Sequence, residues 1–164
     1  MEILPVALIA ATLMCSLVAG FLFAFAVVIM PGIGRLDDAA FIRSFQAMDG
    51  VIQNNQPLFM LVWAGSVLLL IASVALGIAQ LDGSGLALLV VATLLYLVGV
   101  QLPTGAGNVP LNNALQTLEV DAMDDAARRT ARADFEPRWN RWNAVRTAAS
   151  VVVSALLLIV LYGL

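Results

Sequence analysis

The chain has 164 residues, of which 62% are hydrophobic and 12% charged, with a formal net charge of −3. A mean hydropathy of +0.96 excludes a water-soluble domain of ordinary composition and indicates an integral membrane protein. There is no histidine and one cysteine, Cys15, inside the first apolar run, so neither a metal centre nor an intrachain disulfide is expected.

Four apolar runs have the length of a membrane span, at about 3–30, 57–80, 85–107 and 143–164, each near the roughly 20 residues that cross hydrocarbon as a helix. The expectation is an all-α fold: one domain over residues 1–164, an integral membrane four-helix bundle with amphipathic cytoplasmic helices in loops one and three. The first run has no basic region before it and no small-residue cleavage site after it, so it reads as a retained helix rather than a signal peptide. Fully helical, it reaches about 40 Å, and Pro31-Gly32 is expected to end it.

In loop one, Asp37-Asp38 suits an amino-terminal cap. Phe41, Phe45, Met48 and Ile52 then recur at helical spacing opposite Arg43, Asp49 and Gln53, which predicts an amphipathic helix on the membrane or across the bundle mouth. The cluster Gln53-Asn54-Asn55-Gln56 follows, and Pro57 suits the first turn of the second span. The short connection Leu81-Asp82-Gly83-Ser84 makes spans two and three antiparallel neighbours. Small residues four apart, Gly20 with Ala24, Ser73 with Gly77 and Ser150 with Ser154, allow close helix approach, although apolar helices are rich in small residues anyway.

Near the end of span three, Gln101, Thr104 and Asn108 share one helix face, which Asn112 extends beyond Pro110. Pro103 would free the carbonyl of Gly99 and loosen the helix there. Loop three reads as two helical pieces. Pro110 opens one; Asp121 caps the other, with Asp124 and Asp125 in its first turn and Arg128, Arg129 and Arg132 after them. Pro137 is expected to interrupt or kink the path, with Arg138 onward continuous with span four.

On that last helix Trp139, Trp142, Asn143 and Arg146 fall on one face. Two readings stand at this level. Tryptophan and arginine can simply anchor a helix at the interface, and span-three amides can simply be polar glue between helices. Alternatively the two faces meet in a pocket lined by Asn54, Asn55, Trp63, Gln101, Thr104, Asn108, Asn112, Trp142, Asn143 and Arg146, suited to a planar, moderately polar lipophile.

All eight basic residues are arginine, at 35, 43, 128, 129, 132, 138, 141 and 146. By the positive-inside rule loops one and three are cytoplasmic and both termini face outward from the cell membrane, with only Glu2 and Asp82 charged on that side. The lipid bilayer is thus the first partner, nucleic acid is not expected, and a homo-oligomer is open. No ionisable residue sits at mid-membrane and no repeat is evident, against a coupled transporter.

The strings Asn108-Val109-Pro110-Leu111-Asn112-Asn113-Ala114-Leu115 and Trp139-Asn140-Arg141-Trp142-Asn143-Ala144-Val145-Arg146-Thr147 resemble two signatures of the anthrone oxygenase-like family. Ala19-Gly20-Phe21, Phe23-Ala24-Phe25, Met30, Ala47-Met48 and Tyr96-Leu97-Val98-Gly99-Val100 extend the likeness over almost the whole chain. The resemblance implies a small four-span membrane protein that oxidises an anthrone to an anthraquinone with dioxygen and no cofactor. It also implies Arg146, Asn112 and Asn143 as the catalytic, enolate-stabilising groups. Trp142, Trp139, Gln101, Thr104, Asn108, Asn55 and Trp63 would bind the flat substrate.

This chain departs from the family pattern at Asn113, where aspartate is common, and at Ala144, where histidine is frequent. The usual Ile-Asn pair after Ala-Met is not obvious in Asp49-Gly50-Val51-Ile52. Asp49, Asp134 and Glu136 are the remaining candidate bases. The alternative function is a non-enzymatic membrane protein that binds a lipid, quinone or partner protein through its cytoplasmic face.

Overall fold

The computed structural model describes residues 3–164, so Glu2, one of the two outward charges, lies outside the described residues. The described chain is helical without strands: α1 Ile3–Ile33, α2 Asp38–Gln53, α3 Pro57–Gly77, α4 Gly83–Gln116 and α5 Asp125–Tyr162. Of these, α1, α3, α4 and α5 are long and apolar enough to cross a membrane. They close a four-helix bundle in which α1 packs on α3 and α5, and α4 packs on the same two. Loop one is filled by α2, which docks on α5 and on the end of α4.

Because lipid makes every face of these helices apolar, composition does not reveal which face is inside; burial does. The buried positions include Leu4, Leu8, Ala11, Cys15, Val18 and Leu22 on α1, Ser66, Leu70, Ser73 and Gly77 on α3, and Asn143, Arg146, Ser150, Val153, Leu157 and Val160 on α5. Each set alternates steps of four and three, the 3.5-residue repeat of a left-handed bundle seam. The outward faces carry Leu13, Leu17, Leu61, Leu68, Val91, Leu94, Val152 and Ile159, which suit contact with a lipid bilayer.

Most small hydroxyls on the seam satisfy themselves locally, whereas Ser73 Oγ is buried without a partner. Thr12 donates to Leu8 O, Thr93 to Leu89 O and Ser154 to Ser150 O, so they enter hydrocarbon without orphaned donors. One bond crosses between helices, Ser66 Oγ with Tyr96 Oη at 2.7 Å.

Of the three expected small-residue pairs, the structure buries Ser73, Gly77 and Ser150, while Gly20 faces open space. The tightest helix approach lies elsewhere. A Cβ on Gly99 would stand 2.6 Å from Ala149 Cβ, which brings α4 onto α5.

Prolines shape the bundle differently from the sequence expectation. Helix α1 runs past Pro31-Gly32 to Ile33, and α4 runs unbroken through Pro103 and Pro110 to Gln116, so no separate helix opens at Pro110. In all three cases a π-helical turn ends two residues before the proline: Phe25–Ile29, Leu97–Gln101 and Thr104–Asn108. A proline ring clashes with the carbonyl four residues back in an α-helix, and the wider turn relieves that clash while the helix continues.

Pro137 does not interrupt α5 either. Pro137 and Ala133 are both exposed, so the carbonyl that the proline leaves free faces outward. Phe135 and Trp139 are buried on the opposite side, and the helix continues through the gap in its ladder.

The caps explain the loop helices. Asp37 caps α2 as expected, accepting from Ala40 N at 2.8 Å. Asp82 caps α4, where the Gly85 backbone N–H and then the Ser84 hydroxyl hold its carboxyl below the usual carboxylate range. The α5 cap is Asp124, not Asp121, and accepts from Ala127 N at 2.7 Å. Asp121 instead sits in a short 3₁₀ turn, Val120–Ala122, and pairs with Arg43 on α2.

Arg132 fastens loop one to α5. It donates to Gly34 O at 2.7 Å, Leu36 O at 2.9 Å and Glu136 Oε2 at 2.7 Å, and lies over the Phe41 ring.

Gly99→Ala should force α4 from α5 and destabilise the bundle by about 1–3 kcal/mol. Gly20→Ala should be neutral or stabilising by up to about 1 kcal/mol, since alanine favours the helix. Thermal unfolding of the two variants in detergent, side by side, checks both.

Candidate functional site

At the end of the bundle opposite the α3–α4 turn, α4 presents Thr104, Asn108, Asn112 and Gln116 at constant four-residue spacing. On a regular α-helix such a row drifts by about 40° per step. The π-helical turn Thr104–Asn108 widens the helix and offsets part of that drift, so Thr104, Asn108 and Asn112 all border one space. That space is a cavity of about 220 Å³.

Its walls are aromatic. Phe21 and Phe25 come from α1, Phe45 from α2, Phe59 and Trp63 from α3, and Trp139 from α5. Phe59 and Trp63 stack at 5.4 Å and 18°, and Trp139 meets Phe25 at 5.5 Å and Phe45 at 5.4 Å. Exposed Gln53, Met60, Val109 and Asn113 rim the opening between α2, α3 and α4. The floor is tied by Trp63 Nε1, which donates to Gln101 Oε1 at 3.0 Å.

Two opposite charges line this cavity without pairing. Arg146, 5% exposed, donates from Nη1 to Thr104 Oγ1 at 3.2 Å and from Nη2 to Asn143 Oδ1 at 2.9 Å. Its guanidinium carbon lies 5.6 Å from the Trp139 ring centroid, within reach of a cation–π attraction. Asp49 is also only 5% exposed and accepts three amide N–H groups: Asn112 Nδ2 to Oδ1 at 2.7 Å, Gln53 Nε2 to Oδ2 at 2.7 Å and Gln116 Nε2 to Oδ2 at 3.0 Å. Neither group enters an ion pair among the described residues.

Two residues that line the cavity each carry a buried polar atom without a partner, Arg146 Nε and Asn108 Oδ1. Leaving such a group unsatisfied costs about 1–3 kcal/mol.

Of the residues singled out from sequence, Trp63, Thr104, Asn108, Asn112, Trp139 and Arg146 come together on this cavity. Asn143 stands behind it, buried at 1%; it holds Arg146 and donates to Leu22 O at 3.1 Å, just before the first π-helical turn. Gln101 braces Trp63 from below, and its Nε2 is a third buried atom without a partner.

Trp142 points away, 39% exposed, with its ring against Gly107. Asn54 and Asn55 are exposed in the α2–α3 turn; Asn55 has φ 57°, a left-handed conformation asparagine tolerates. Asp134 is exposed and Glu136 binds Arg132, and neither lines the cavity.

Asp49 corrects the sequence reading of α2, because it lies inside rather than on the solvent face. The sequence did not mark Phe21, Phe25, Phe45, Gln53 or Gln116 as lining or supporting a site. Their signal was faint: phenylalanine in an apolar span looks like any lipid-facing residue, and Gln116 continues the row one step past Asn112.

Helices and cavity together define a multi-pass membrane protein whose four-helix bundle holds an aromatic cavity at one end. The anthrone oxygenase family model matches residues 53–156, and the chain belongs to that family. No curated protein and no solved structure matches it significantly. The family match begins beyond Asp49, so α1 and nearly all of α2, which supply half of the aromatic wall, lie outside it.

Asn112 accepts from Trp139 Nε1 at 2.8 Å while donating to Asp49, so it ties α2, α4 and α5 together. Asn112→Ala should strand both partners and destabilise the protein by about 1–3 kcal/mol. Asn113→Ala, at the exposed rim, should change stability by less than about 0.5 kcal/mol. Thermal unfolding in detergent distinguishes the two.

Proposed function

We propose that the cavity binds a planar aromatic lipophile bearing a carbonyl oxygen and oxidises it, as an anthrone-type substrate, to the corresponding quinone with dioxygen. The observation that carries this reading is Arg146: a buried guanidinium with no carboxylate partner and a free Nε beside an aromatic-walled space. An arginine keeps its charge. One left without a counter-ion in so dry a place is matched to an anion that arrives with the ligand or forms on it.

An anthrone supplies such an anion. Loss of a proton from its central methylene leaves a carbanion delocalised onto the carbonyl oxygen, and electrostatic stabilisation of a developing oxyanion commonly contributes more to catalysis than any other single effect. Arg146 Nε would hold that oxygen, with Thr104 and Asn143 fixing the guanidinium. The stacked pair Phe59 and Trp63 supports a flat ring system, and the aromatic walls keep water off its face, where it would quench the carbanion. Because the delocalised carbanion can itself give electrons to dioxygen, the reaction as proposed calls on no cofactor.

The end of the bundle with the cavity carries the loop arginines, which supports placing it on the cytoplasmic side of the cell membrane. A binding protein for a quinone or lipid is the second reading, supported by the same unpaired donor and acceptor, Arg146 Nε and Asn108 Oδ1.

Purified protein in detergent should consume dioxygen when given anthrone, at a rate above the uncatalysed background. Arg146→Ala should lower that rate by about 10²–10³, the usual loss for one oxyanion donor. Equal rates in the two would end the enzymatic reading as placed here. Quinone binding, read as tryptophan quenching, without any dioxygen consumption would leave the binding-protein reading.

A further inference from the structure

Among the described residues Asp49 is the one carboxylate that lines the cavity, and neither the oxyanion site nor the family match uses it. Its buried position needs an explanation, because a carboxylate is rarely so enclosed without a cation. Three amide donors hold it in place, one on Oδ1 and two on Oδ2. Each carboxylate oxygen offers about two acceptor sites, so Oδ1 keeps one free.

The position relative to Arg146 is informative. Arg146 is anchored on Thr104 and Asp49 on Asn112, eight residues apart on α4, or about 12 Å along the helix axis. Both side chains reach into the space between. In an anthrone the carbonyl and the methylene lie across one ring from each other, so a ligand with its oxygen at Arg146 turns its methylene toward Asp49. Asn108, with its free Oδ1, stands midway along the row.

We infer that Asp49 is the catalytic base of the reaction proposed above, taking the methylene proton and returning it to the peroxide. The inference rests on that reading of the cavity. Asp49 Oδ1 removes one proton, and the C–H electron pair stays on the ligand, shared with the oxygen at Arg146. The carbanion passes one electron to dioxygen; the resulting radical and superoxide combine, forming the C–O bond of a peroxide anion. Protonated Asp49 gives its proton to the distal oxygen, leaving a hydroperoxide and a carboxylate again.

The carboxylate then takes the second proton from the same carbon. That C–H pair becomes the second bond of the new carbonyl, the O–O bond breaks, and the departing hydroxide collects the proton from Asp49 as water. In sum the carbon loses four electrons and dioxygen accepts four, one oxygen atom ending in the quinone and one in water. Asp49 finishes as it began.

Proton removal can be read without oxygen. Anaerobic exchange of the anthrone methylene in D₂O, measured by mass spectrometry or NMR, should be accelerated by the wild-type protein over the buffer rate. Asp49→Asn, which keeps the shape, should lose at least about 100-fold of that acceleration, within the range of a positioned general base. Its affinity for the quinone product, read by tryptophan quenching, should stay within about threefold of wild type.

Exchange by Asp49→Asn at the wild-type rate would overturn the assignment of Asp49 while leaving the oxyanion site intact. Failure of the wild type itself to accelerate exchange would instead overturn the proposed reaction. If Asp49→Asn also loses quinone binding, Asp49→Ala titrated with formate decides. Exchange that rises with formate supports the base, and binding restored without exchange overturns it.

Discussion

An arginine keeps its charge, and Arg146, at 5% exposure, has given up most of its hydration. The bundle compensates only in part. Thr104 and Asn143 take two of its donors, the Trp139 face lies within reach of the charge, and Nε is left over. Much else at this end follows from that arrangement. Asn143 is itself pinned by the Leu22 carbonyl, so the guanidinium is referenced to α1, α4 and α5 at once.

The bundle divides into two halves with different chemistry. Toward the α3–α4 turn lies a dry seam in which Leu8, Leu70, Leu89 and Leu157 are sealed and hydroxyls bond to their own helices or to Tyr96, Ser73 Oγ excepted. Toward loops one and three the seam opens around aromatic rings, amides and the two charges. Pro31, Pro103 and Pro110 fall on the second half, and the π-helical turns before Pro31 and Pro110 widen the helix where it borders the cavity. Irregular backbone is tolerated at membrane depth where it lines an internal space.

How much of this was legible in the sequence varies with the physics of each part. The spans were plain, because twenty apolar residues in a row have few other uses. The polar row on α4 was plain too, because amides at helical spacing in such surroundings must seek each other. The inward faces were not, since lipid removes the contrast between inside and outside that marks an amphipathic helix in water.

Trp142 and Trp139 show how finely a helix face can divide. They lie three residues apart, about 60° around the helix, and only packing against Gly107 sends the first outward. Asp49 failed for the opposite reason. On α2 the rule that charges face solvent does apply, and three amides from α2 and α4 override it at this position. The carboxylate that reaches the cavity comes from α2.

The unbroken length of α5 places the cavity in depth. Its 38 residues extend about 57 Å, whereas hydrocarbon is about 30 Å thick. From Thr147 to Tyr162 the helix covers about 24 Å, nearly the whole apolar slab, so Arg146 stands at its margin and the turns before it rise through the headgroups. The cavity therefore straddles two solvents. Its arginine end borders the acyl chains in which a flat aromatic dissolves, and its aspartate end borders the water in which a proton is free to leave.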